Sequence, residues 1–139
     1  MSEVLLDTCA LLAHVLGAPM RDGARRAVRL AQGAGSVLIP SVGATEVAQK
    51  VAAGKLDLGD TFPTARLWFT HVMRLQGMVE AAVTIEIALA AYELPSPFHK
   101  DPADRLIVAM ARHFQVPVVT SDGRILDYAA LGHVRAIAC

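Results

Sequence analysis

The stretch "HKDPADRLIVAMARHFQVPVVTSD", residues 99–122, sets a helix and a strand back to back. Asp101 ahead of Pro102 reads as an N-cap followed by a first-turn proline: an aspartate oxygen accepts a free amide of the first turn, and proline brings no amide that would need a partner there. Asp104 then meets the positive end of the helix dipole. Leu106, Ile107, Met110, Ala111 and Phe114 recur at the helical period, so a helix is expected over 102–114. "VPVVTSD" (116–122) is short, apolar and rich in valine, and reads as a strand with Asp122 at its end.

The same alternation runs outward through the chain. "VLLDT" (4–8) reads as a buried strand followed by a helix near 9–17, and residues 20–33 read as a helix ending at the glycines of "GAG". "SVLIP" (36–40) is a second strand, after which Ser41 can cap a helix to about Ala53, stopped by Gly54. Asp60 or Thr61 opens a helix to about Gln76. "VEAAV" (79–83) is a short strand, and "TIEIALAAYEL" (84–94) a helix ended by Pro95 and Pro97. A short helix is expected near 124–130 and a last edge strand in "VRAIA" (134–138). Strands separated by helices predict an α/β fold with a largely parallel sheet. No linker, repeat or low-complexity segment divides the 139 residues, so 1–139 reads as one domain with a core of its own.

Composition narrows the class. Hydrophobic residues make up 54% and mean hydropathy is +0.43, so either little of the surface is charged or a partner covers apolar surface. No run is long and uncharged enough to span a membrane. The opening "MSEVLLDTCALLAHVLG" has the hydrophobicity of a signal peptide, but Glu3 precedes the apolar run and Asp7 interrupts it, so export is not expected. Cys9 and Cys139, without paired spacing, suit a reducing cytoplasm. The five histidines form no zinc-ligand pattern. Thirteen basic and thirteen acidic residues cancel, so only their distribution can speak for a nucleic-acid partner.

The distribution of acids is informative. Ligands of parallel α/β sheets sit outside the carboxyl ends of the strands. Asp7 ends the first strand, Glu46 lies about one turn into the helix after the second, Asp101 and Asp104 open a helix, and Asp122 ends the "VPVVTSD" strand. Each has an ordinary structural reading, Asp7 and Asp122 as helix caps and Glu46 as a solvated helix residue. Together they would repel one another and need a cation. Oxygen-only ligands of high negative charge suit Mg²⁺ or Mn²⁺, which can neutralise a phosphodiester and acidify a bound water. Two other acidic α/β families fit poorly. Haloacid-dehalogenase-type phosphatases need DxDxT after the first strand, where this chain has "DTCAL"; response-regulator receivers need an acidic pair there.

"VLLDTCALL", "PSVGATEVAQK", "LPSPFHKDPADRLIVAMA" and "VPVVTSDGRILDY" resemble, in order, the four motif blocks of PIN-domain ribonucleases, and their tone resembles the VapC-type toxins of toxin–antitoxin pairs. The resemblance implies a PIN-like three-layer fold, with a central, mostly parallel sheet of four to five strands flanked by helices. It implies a metal-binding, catalytic quartet of Asp7, Glu46, Asp104 and Asp122, with Mg²⁺ or Mn²⁺ as cofactor. Asp101 corresponds to an auxiliary position that mainly caps. Ala103 stands where the family carries an aromatic, a departure expected to affect packing. Thr120 and Ser121 resemble polar residues that orient a metal-bound water, although either could equally cap the following helix, and Thr8 beside Asp7 has the same two readings.

Arg21, Arg25 and Arg29 recur at i, i+4 and i+8, with Arg26 beside them, a stripe that is either a solvated face or a track for RNA phosphates. Lys50, Lys100 and Arg105 lie nearer the acids and are further candidates for the RNA backbone. Aromatics are only 5% of residues, which disfavours binding by base stacking. In the helix 61–76, Phe62, Ala65, Phe69, Val72 and Met73 make one apolar face; Leu67, Trp68 and Leu75 fall elsewhere, leaving a polar stripe of Arg66, Thr70 and Arg74. Such a surface is core or a partner's groove. The resemblance implies both a homodimer and a cognate antitoxin that covers this groove and blocks the acids. The leading expectation is a cytoplasmic, metal-dependent endoribonuclease toxin. The alternatives are a catalytically silent PIN-like module that binds RNA or protein, and an unrelated Mg²⁺-dependent phosphatase.

Overall fold

The computed structural model describes residues 2–139. Five strands, β1 (Val4–Leu6), β2 (Val37–Pro40), β3 (Met78–Ala81), β4 (Val118–Thr120) and β5 (Ala136–Ala138), form one sheet in the order β3-β2-β1-β4-β5. Every pairing is parallel, with Leu5 set between Leu38 and Val118 at the centre. The fold class expected from the sequence is therefore observed, at the upper strand count and, among the described residues, with no antiparallel strand.

The helices are α1 (Thr8–Leu16), α2 (Asp22–Gly33), α3 (Ser41–Ala52), α4 (Ala65–Val72), α5 (Ile85–Ala90), α6 (Pro102–Phe114) and α7 (Gly123–Ala130). Period-two alternation along the strands sends neighbouring residues to opposite faces, and both faces are covered. Leu5, Leu38 and Val118 pack against Ile87, Ile107, Met110, Ile125 and Tyr128 of α5, α6 and α7. Val4, Leu6, Val37, Ile39 and Val119 pack against Leu11, Val28, Val47, Trp68 and Val72 of α1 to α4. The result is helix, sheet, helix in three layers.

Several boundaries differ from the sequence reading. The α3 helix starts at Ser41 itself behind Pro40, and the Ser41 hydroxyl accepts the Val83 amide (3.1 Å) instead of capping. The helix expected from Asp60 or Thr61 starts only at Ala65, because Thr64, just after Pro63, is the residue that caps, accepting the Leu67 amide at 3.2 Å. Its far end stops at Val72 rather than near Gln76. The α5 helix ends at Ala90 rather than Leu94. There the Ala91 carbonyl would need an amide from Pro95, which has none, and Arg105 Nε donates to it instead (2.9 Å). The buried face of α4 is also rotated from the expected one. Trp68 and Val72 are fully buried, while Ala65, Phe69 and Met73 are half-buried and line an open groove.

Candidate active site

The sheet edge at the carboxyl ends of β1, β2 and β4 is where the acids meet. Asp7 follows β1, Glu46 lies in α3 after β2, Asp101 and Asp104 open α6, and Asp122 follows β4. Asp7, Thr8, Glu46, Lys50, Asp101, Asp104, Ser121, Asp122 and Arg124 line one pocket of about 220 Å³, with Cys9 on its rim. The pocket thus brings together the four quartet positions and, of the auxiliary ones, Asp101, Thr8 and Ser121.

Three of the acids are also the helix caps that local sequence predicts. Asp7 Oδ1 accepts from Ala10 N at 2.8 Å, Asp101 Oδ1 from Asp104 N at 3.1 Å, and Asp122 Oδ1 from Arg124 N at 2.8 Å. Capping and clustering are compatible because a carboxylate has two oxygens. Thr120 is fully buried; its hydroxyl donates to Asp7 Oδ2 and accepts the Asp122 amide (2.9 Å). It ties two strand ends of the site together. The buried Thr8 hydroxyl donates to Glu46 Oε1, holding α3 against α1, whereas Ser121 is exposed on the rim.

The electrostatics follow from burial and crowding. Burial pushes the Asp7 carboxyl up, the hydrogen bonds from Thr120 and Ala10 pull it back, and Asp122 and Glu46 add to the rise. Asp104 is pushed from 3.8 up to about 7 by burial and by the charges of Asp101, Asp122 and Glu46, with Arg124 opposing. At Asp122 burial is outweighed by hydrogen bonds and charge from Arg124, so its carboxyl is held low. Burial and the nearby Arg124 lower His99, whose Nε2 lies 3.0 Å from Asp104 Oδ2. That nitrogen is shielded from solvent and, among the described residues, has Asp104 as its close neighbour but makes no hydrogen bond.

An oxygen-only set of four carboxylates, one of them pushed up to about 7 by burial and by its neighbours' charges, has the chemistry that a hard divalent cation satisfies. Among the described residues, no three acidic, histidine or cysteine side chains are already gathered to hold an ion. Each acid is instead engaged by a neighbour: Asp7 by Thr120, Glu46 by Thr8, Asp122 by Arg124, and Asp104 by His99 and Arg124.

The basic candidates divide. Lys50 lines the pocket; Lys100 is exposed and does not. Arg105 is otherwise occupied: it donates to the carbonyls of Ala91 (2.9 Å), Phe98 (3.3 Å) and His99 (3.1 Å) and lies 5.1 Å over the Tyr92 ring, which makes it a brace for the chain before α6. Arg21, Arg25 and Arg29 are exposed on or beside α2, apart from the pocket lining, and Arg25 is bonded to the Met20 carbonyl at 3.1 Å. Two site residues escaped the sequence reading. Arg124 sits two residues past Asp122, and His99 opens the very stretch that carries Asp101 and Asp104. Their positions beside acids were the only available signal.

The family pattern of the PIN domain matches residues 4–131. The chain belongs to the PIN domain family. Every strand but β5 and every helix lies inside that match. Among solved structures, the chain is similar to VapBC2 from Rickettsia felis bound to a DNA fragment from its promoter, with a TM-score of 0.70, 13% identity and 98% of each chain covered. It is similar to DNA-bound VapBC from Salmonella typhimurium (TM-score 0.64, 16% identity, 99% of this chain and 98% of that one). It is similar as well to FitAcB from Neisseria gonorrhoeae (TM-score 0.60, 19% identity, 96% of each). At these identities the likeness is one of fold. Among curated proteins no sequence matches.

Proposed function

We propose that this PIN domain, spanning 1–139, is a metal-dependent endoribonuclease acting as the toxin of a toxin–antitoxin pair. The observation that carries the reading is the convergence of Asp7, Glu46, Asp104 and Asp122 around one pocket at the carboxyl edge of a parallel sheet. These four carboxylates would hold Mg²⁺ or Mn²⁺. Held there, such an ion would supply charge neutralisation at the phosphodiester and a more acidic water.

The rest falls to the chain's own side chains. Thr120 and Thr8 fix Asp7 and Glu46 in place, so that little reorganisation is left for the reaction. Lys50, on the pocket wall, is placed to meet a phosphate oxygen of the RNA strand. Asp101 keeps the first turn of α6, and with it Asp104, in position.

Partner readings rest on the groove between α3 and α4. Ala44, Ala48, Ala65, Phe69 and Met73 form its floor and Arg66, Thr70 and Arg74 its polar side, around a volume of about 570 Å³. An amphipathic segment of a cognate antitoxin fits such a surface, and the fold likeness to VapBC and FitAcB assemblies supports a partner of that kind. A homodimer in the cytoplasm completes the reading. No described helix is long and apolar enough to cross a membrane. The test is cleavage of RNA by the purified protein with Mg²⁺, with Mn²⁺ and with EDTA, alongside Asp104→Asn. Metal-dependent cleavage lost in the variant is the expected result; RNA left intact by wild type under every condition rejects the nuclease.

A further inference from the structure

We propose that Arg124 is a two-position cation on the acid cluster: it sits inward on Asp104 and Asp122 while the cluster lacks a divalent ion, and turns outward to Asp127 when one binds. The inference rests on the metal-binding reading above.

The inward position is the observed one. Arg124 belongs to the first turn of α7, and its side chain folds back so that Nη2 lies 3.4 Å from Asp122 Oδ2 and 3.8 Å from Asp104 Oδ2. Its Nε is 3.5 Å from Asp122 Oδ1. The guanidinium therefore covers oxygens of two of the four acids that an ion would need. Lys50 also lines the pocket but makes no ion pair among the described residues, so Arg124 is the cation that offsets the cluster's repulsion. A guanidinium and a divalent ion cannot share those oxygens without repelling each other.

The outward position lies in a second pocket of about 420 Å³, which shares Arg124 with the acid pocket and is lined as well by Phe98, His99, Asp127, Tyr128 and Leu131. Asp127 is three residues on along α7, the spacing at which acid and base meet on one helix face. It is exposed, and its carboxylate makes no ion pair among the described residues. The Arg124 side chain is 61% exposed, so no packing holds it in. Moving between the two pockets exchanges one set of carboxylates for another without unfolding anything.

Mn²⁺ binding to the full chain, without RNA, followed by electron paramagnetic resonance of the free ion, tests this through a double-mutant cycle. Arg124→Gln should tighten Mn²⁺ about three- to tenfold, the size expected when two ion pairs exposed on the arginine side no longer compete. Asp127→Asn should weaken it about twofold in wild type, by removing the outward berth, and should have no effect once Arg124 is Gln. Mn²⁺ binding by Arg124→Gln that is no tighter than wild type overturns the inward position. Equal weakening by Asp127→Asn in both backgrounds overturns the outward one, since Asp127 would then act only through its charge. In either case wild type still binds Mn²⁺ and the metal-site reading survives; a wild type that binds none overturns both together.

Discussion

Asp104→Asn, measured without metal, isolates the electrostatic load carried by the acid cluster. Asn keeps the shape of the side chain and removes the charge that burial penalises most and that Asp101, Asp122 and Glu46 oppose. The displacement of Asp104 from 3.8 to about 7 corresponds to a ceiling of roughly 4 kcal/mol, at about 1.4 kcal/mol per tenfold. Solvent reaches part of this site and screens it, so about 2 kcal/mol is the working figure. The sign is fixed by proton binding. With its folded value raised above the unfolded one, Asp104 binds more protons in the native state between about 4 and 7. Its contribution is therefore full below the ordinary carboxylate value and is lost as pH rises through about 7. His99 is lowered by burial and gives the opposite slope below its ordinary 6.5, so the part of the range above that value carries the Asp104 signal. Thermal melts in EDTA from pH 5 to pH 8 should show Asp104→Asn gaining on wild type by roughly 1–2 kcal/mol, or about 3–7 °C, across that range. A gap that does not change with pH, or a variant that melts lower than wild type at pH 8, refutes the combined load of burial and repulsion on Asp104.

Asp101→Asn should retain far more RNA cleavage than Asp104→Asn, because Asn also caps a helix; equal loss in the two would show that Asp101 belongs with the quartet. Thr120→Val strips the hydroxyl shared by Asp7 and the Asp122 amide and should cost about 2–3 kcal/mol in urea unfolding, with Thr120→Ser largely restoring it. Arg105→Ala leaves three carbonyls without their donor and should cost about 2–3 kcal/mol, while the salt dependence of RNA binding stays as in wild type. If the exposed Arg25 and Arg29 track phosphates, replacing both with Ala should flatten the log–log salt dependence of RNA binding by about one unit for each lost contact, and an unchanged slope returns them to a solvated face.

The sequence by itself determined which segments become strands and helices, that the sheet is parallel, and which acids fall at its carboxyl edge. These are local properties. Valine-rich runs, a Pro102 behind a capping Asp101, and Gly17 in the left-handed region at the end of α1 act within a few residues of themselves. It also offered the capping and clustering readings of Asp7, Asp101 and Asp122 as rivals, which the two oxygens of each carboxylate reconcile. Only the tertiary structure decided who holds the acids. The Thr120–Asp7 bond joins residues 113 apart and the Thr8–Glu46 bond residues 38 apart, separations over which no periodicity carries information. The same holds for Arg105, whose spacing near the acids suggested RNA, while the missing amide of Pro95 left a carbonyl at Ala91 that drew its guanidinium away. It holds for Trp68, whose place on the helical wheel of α4 says nothing of which side the sheet lies on. And it holds for Arg124: a charge two residues from Asp122 becomes a partner of Asp104 only because α6 and β4 bring their ends together at one pocket.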